Sequence, residues 1–206
     1  GDGESAFQEF LDWQIEGKTD DSKLHNLITK TKKYLHRVFQ FKAYEPFSPW
    51  LDLKQELIDT HELMVRKFGR ENVIINYERT RGCPYTCAFC NWQGGLHYKV
   101  NSRLYPYQPE IDLFHKIGAF ISLTDANSGM FKEDYEMVKY SIEKNRDDWT
   151  GFNLMPRNYS KKNKTEVFRI LSLIVNSEEP YEFLKISLQD LDEDVLENIK
   201  RPEIPW

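Results

Sequence analysis

The chain has 206 residues, of which 40% are hydrophobic and 30% charged, with a formal net charge of −5. The length suits one core with an appendage, at about 100–200 residues per domain, and the composition is that of an ordinary soluble globular protein. The acidic balance argues against a general nucleic-acid binder, no apolar run nears the ~20 residues that span a bilayer, and the polar Gly1-Asp2-Gly3-Glu4-Ser5 start does not read as a signal peptide; a cytoplasmic protein with neither nucleic-acid nor membrane partners is expected.

Phe7, Phe10, Leu11 and Ile15 recur at helical spacing, which predicts an amphipathic helix over Glu4 to Gly17, with Gly17 as its stop. Lys18 to Asn26 is charged and polar and reads as a linker. Residues 33–50 are aromatic-rich without periodicity. The two prolines in Tyr44-Glu45-Pro46-Phe47-Ser48-Pro49-Trp50 predict an irregular segment there. A second amphipathic helix follows from Leu53 to Phe68, stopped by Gly69.

Asn72 to Glu78 is a short β-rich run. Ala119 to Leu123 reads as a second strand, followed by a helix from Lys132 to Lys144. Phe152 to Met155 reads as a third strand, followed by a helix from Lys164 to Val175. Phe183 to Leu188 reads as a fourth strand ending at Gln189, and a helix from Glu193 to Lys200 closes the series. Strands alternating with helices predict parallel βα units. Polar residues fall just past the expected strand ends: the cysteines, Asp125 and Asn127, Arg157, and Gln189. Parallel α/β sheets and barrels place their chemistry on that side.

All three cysteines lie in Cys83-x-x-x-Cys87-x-x-Cys90. An odd, clustered set reads as a metal site in a reducing compartment, not a disulfide framework. Thiolates suit iron–sulfur clusters and zinc. Either usually takes four protein ligands, so three thiolates on a short loop leave one iron of a cluster open to a small molecule. Structural zinc completed by His97 is the alternative, and it would make the chain a non-catalytic binding module.

Arg81-Gly82-Cys83-Pro84-Tyr85-Thr86-Cys87-Ala88-Phe89-Cys90 resembles the signature of the radical S-adenosylmethionine (radical SAM) superfamily. Phe89 matches the aromatic residue before the last cysteine. The resemblance implies a partial (β/α) barrel with a [4Fe–4S] cluster on Cys83, Cys87 and Cys90. It further implies reductive cleavage of S-adenosylmethionine to methionine and a 5′-deoxyadenosyl radical, which abstracts hydrogen from a substrate. The cofactor supplies the difficult chemistry, and the protein orients it and excludes water.

Thr124-Asp125-Ala126-Asn127-Ser128-Gly129-Met130-Phe131 is similar to a segment after the second strand in cobalamin-binding members. Asp125 and Asn127 are thereby implied to contact the methionyl part, although Ser128 departs from the commoner aromatic residue. A turn capping the next helix is the structural alternative. Asn158-Tyr159-Ser160-Lys161-Lys162-Asn163 resembles a further family segment, with Arg157 or Lys162 meeting the cofactor carboxylate. Gln189 sits in a segment similar to the family's fourth strand end, where Asp190 replaces a serine. Trp92, Gly94 and Gly95 allow close backbone approach to the adenosyl group or simply form a turn.

The expected organisation is an N-terminal helical and linker segment over 1–70, resembling the end of a cobalamin-binding domain, and a radical SAM core over 71–206. With four βα units against about six in the family barrel, the chain reads as a piece of a longer polypeptide. The resemblance points to an enzyme performing cobalamin-associated methyl transfer or rearrangement on a small-molecule or peptide substrate, with an external electron donor. A cobalamin-free peptide-modifying enzyme such as an epimerase is the second reading within the superfamily.

Overall fold

The computed structural model describes residues 3–19, 21, 24, 48–90, 101–102, 106–156, 159, 163–177 and 190–201. The chain forms two compact units, Gly1–Ala43 and Tyr44–Trp206. In the first, helix α1 spans Gly3–Ile15. Gly17, at φ 64°, donates from its N–H to Gln14 C=O and Lys18 N–H donates to Trp13 C=O. That pair of bonds is a Schellman ending, built on the glycine that the sequence marks as the stop.

The second unit opens with a short helix, α2 (Pro49–Asp52), where the prolines predict irregular chain. Proline is tolerated in a first helical turn because its missing N–H would have no intrahelical partner there. Ser48 caps the turn by accepting from Leu51 N–H. Helix α3 (Lys54–Phe68) follows, and Gly69, at φ 84°, ends it.

Strand β1 (Ile74–Tyr77) leads to a two-stranded antiparallel ribbon of β2 (Thr80–Arg81) and β3 (Asn101–Ser102). Helix α4 (Gln108–Lys116), β4 (Phe120–Leu123), α5 (Lys132–Asp147), β5 (Asn153–Pro156) and α6 (Lys164–Asn176) come next. Helix α7 (Glu193–Asn198) is the last described element.

Strands β1, β4 and β5 form a parallel sheet in chain order. Ile75 pairs with Ile121, and Ile121 with Leu154. The helical links place α4 and α5 between successive parallel strands, as such crossovers require. The core is built from Tyr77, Ile121, Leu123 and Leu154 of the strands with Ile111, Phe114, Met137, Val138, Val167 and Ile170 of the helices. Burying these apolar surfaces is the main favourable term in folding. Phe114 stands edge-on to both Tyr77 and Trp50. The architecture is therefore mixed α/β with a three-stranded parallel sheet. Among the described residues no closed barrel is seen, and the expected fourth strand lies outside them.

Candidate cofactor site

The cysteine loop leaves the carboxyl end of β1. Tyr77 C=O accepts from both Thr124 N–H and Thr124 Oγ1, which carries the β1–β4 contact one residue past the strands. Just beyond, Asp125 Oδ1 accepts from Arg79 N–H at 2.6 Å and Thr80 N–H at 3.0 Å. This fully buried carboxyl group fixes the start of the excursion. The β2–β3 ribbon pairs Thr80 with Ser102 and Arg81 with Asn101, just before the cysteine loop leaves. Gly82 makes the departure at φ 107°, a conformation that favours glycine.

Within the loop Cys83 is half-buried, Cys87 buried and Cys90 exposed. Cys90 N–H donates to Cys87 C=O at 3.0 Å, which turns the chain between these two thiols. Phe89, beside the last cysteine, is 52% exposed. Among the described residues no group of three or more His, Cys, Asp or Glu side chains is gathered closely enough to hold a metal ion. The donor set nonetheless has the chemistry of an iron–sulfur site: three soft thiols within eight residues of one loop.

A second cluster of polar groups follows β4 and β5. Asn127, Ser128 and Tyr159 are buried, and a parallel bridge joins Ser128 to Tyr159. Asn127 Nδ2, Ser128 Oγ and Tyr159 OH have no hydrogen-bond partner among the described residues. Burial alone pushes the Tyr159 hydroxyl far above its ordinary titration range. Buried polar groups ordinarily find partners, so these three atoms are open to a polar one. The capping role weighed for the Asp125–Ser128 segment falls instead to Asp134, whose Oδ2 accepts from Gly129 N–H and Phe131 N–H.

A buried network also reaches the start of the excursion, through Arg79. Glu110 of α4 accepts from Ser48 Oγ and from Tyr77 OH, and Arg79 Nη1 lies 3.9 Å from its Oε2. All four residues are buried. Sequence reasoning missed this group, and it also missed α4. The available signal was a carboxylate at helical spacing from apolar residues: Glu110, Leu113 and Phe114 share one buried face. Of the other sequence-predicted residues, Arg157, Lys162 and Gln189 lie outside the described residues, as do Trp92, Gly94, Gly95 and His97.

Fold and site together define a class: a parallel α/β core with a three-cysteine loop on the carboxyl side of its first strand. No family model matches the chain. Two curated proteins are similar to it, each over 134 residues that make up 62% of this chain and 19% of the relative. One is the cobalamin-dependent radical SAM methyltransferase TokK of Streptomyces tokunonensis, at 31% identity. The other is the 2-(S-pantetheinyl)-carbapenam-3-carboxylate methyltransferase of Streptantibioticus cattleyicolor, at 32% identity. The chain thus spans about a fifth of the length of the curated relatives it matches. These partial likenesses support the radical SAM resemblance carried by the cysteine motif and the cobalamin-group resemblance carried by the segment from Thr124 to Phe131, and both relatives are enzymes.

Proposed function

We propose that this chain carries the cluster- and cofactor-binding part of a cobalamin-dependent radical SAM methyltransferase. The observation that carries the reading is the three-cysteine loop, which leaves the first strand of a chain-ordered parallel sheet in a protein similar to two methyltransferases. Cys83, Cys87 and Cys90 would hold a [4Fe–4S] cluster through three of its irons. Bound there, it supplies the electron that cleaves S-adenosylmethionine to methionine and a 5′-deoxyadenosyl radical.

The chain's own residues bind and orient. Asp125 acts from behind, pinning Arg79 and Thr80 so that the loop leaves the sheet in one direction. Asn127 Nδ2 can donate to a carboxylate oxygen, and the Ser128 and Tyr159 hydroxyls can donate or accept. Phe89 offers the exposed part of its ring to the cofactor. Arg157 or Lys162 serves the cofactor carboxylate, and Gln189 a further polar contact. The methyl acceptor is a natural product or peptide. Cobalamin is bound by sequence outside the cluster loop, and an external donor provides the electron.

The test is turnover by the full-length protein with methyl-labelled S-adenosylmethionine, cobalamin and a strong reductant. The reading expects 5′-deoxyadenosine release that is abolished in C83A, C87A and C90A. Release that survives these substitutions, or tight zinc binding with no iron uptake, contradicts it.

A further inference from the structure

We propose that Arg201 is a positioning residue for the cysteine loop and sets the reduction potential of the cluster held there; the inference rests on the cluster reading above. Helix α7 ends in a Schellman turn, with Lys200 N–H donating to Glu197 C=O at 3.0 Å and Arg201 N–H donating to Leu196 C=O at 2.9 Å. The turn places Lys200 at φ 54°, a left-handed conformation usually left to glycine. Its consequence is the direction of the next residues.

Three contacts run from this turn to the cysteine loop. Ile199 C=O accepts from Ala88 N–H at 2.8 Å. Arg201 Nη1 donates to Cys87 Sγ at 3.7 Å. The Arg201 guanidinium carbon stands 5.9 Å from the centroid of the Phe89 ring. Successive residues Cys87, Ala88 and Phe89 are thus each engaged, more than 100 residues from α7 along the chain.

The chemistry follows from charge. Reduction takes one electron from the external donor and adds one negative charge to the cluster and its thiolates. Hydrogen bonds to the sulfurs and nearby positive charge favour that reduced form. A guanidinium stays protonated throughout. Cys87 is the most buried of the three thiols, where a fixed charge is least screened. Arg201 therefore raises the potential, easing electron entry, while it holds the loop's middle in place.

The experiment is a potentiometric titration of the full-length protein, reconstituted anaerobically with iron and sulfide, with the reduced cluster followed by electron paramagnetic resonance. Failure of the wild type to take up iron overturns the cluster reading and this inference with it. Once the wild type is loaded, R201Q is expected to lower the midpoint by about 59 mV, a tenfold change in a one-electron equilibrium. R201K keeps the charge but loses the fork, and its midpoint is expected between the two. Midpoints equal to wild type in both variants at full iron content overturn the inference alone. If R201Q holds no cluster, R201K decides: a midpoint below wild type supports the role, and an equal one overturns it.

Discussion

Asp125 presents no surface to solvent, yet it stands where the cysteine loop is anchored. Burial pushes its carboxyl group up to about 7, with Asp134 and Glu78 adding to the rise and the Thr80 and Arg79 N–H groups opposing it. Between the ordinary carboxylate value of 3.8 and about 7, the folded chain holds a proton that the unfolded chain releases. The stability from this group is therefore complete below 3.8 and lost as pH rises through 7. Asp125→Asn keeps an acceptor for both N–H groups and cannot ionise. Its stability relative to wild type should climb over that window, by on the order of 4 kcal/mol at most, in urea unfolding at stepped pH. A difference that stays flat with pH contradicts the assignment. Glu110→Ala should cost about 3–5 kcal/mol in the same measurement, because it removes the buried acceptor of Ser48 Oγ and Tyr77 OH and a negative charge beside buried Arg79; a cost under ~1 kcal/mol would mean that this buried network adds little to stability. The two carboxyl groups differed in legibility. Asp125 follows an obvious strand. Glu110 acquires meaning from distant partners, Tyr77 and Ser48 being 33 and 62 residues away, and no local pattern announces such partners.

Strands and helices with clean periodicity were readable: α3, β1, β4, α5, β5 and α6 lie where the apolar spacing puts them, with ends shifted by a residue or a few. What escaped was set by context. Pro49 sits in a first helical turn, where it does no harm. Pro109 does the same in α4, and that helix also carries a charged residue on its buried face. The packing of α6 depends on Gly129, which no periodicity scan weighs. At φ 80° a Cβ there would stand 2.9 Å from Val167 Cγ2, so the glycine lets α6 close on the segment after β4. Asn163 completes that junction by capping α6 through Glu166 N–H and donating to Met130 C=O. Gly129→Ala should destabilise the protein by about 2–4 kcal/mol, from left-handed strain and overpacking together. Thermal unfolding checks this, and a melting temperature equal to wild type would mean that α6 is free to move away.

At the scale of the whole molecule, a parallel sheet in chain order points β1, β4 and β5 the same way, and so brings the cysteine loop, Asp125, Asn127 and Ser128 to one edge. The sequence carries the ingredients of that edge because a parallel sheet repeats one rule: a strand, then polar residues, then a helix. It carries less about what lies across the edge, where α7 meets the cysteines, because that contact joins distant segments. No helix among the described residues is long and apolar enough to cross a membrane. Every role proposed at this edge depends on the three thiols holding an iron–sulfur cluster. Metal and sulfide analysis of the full-length protein after anaerobic reconstitution tests it most directly, beside a variant with Cys83, Cys87 and Cys90 all changed to Ala. The expected result is ~4 irons and ~4 sulfides per chain attributable to this loop, lost in the variant. One tightly held zinc, with no iron or sulfide, would contradict it.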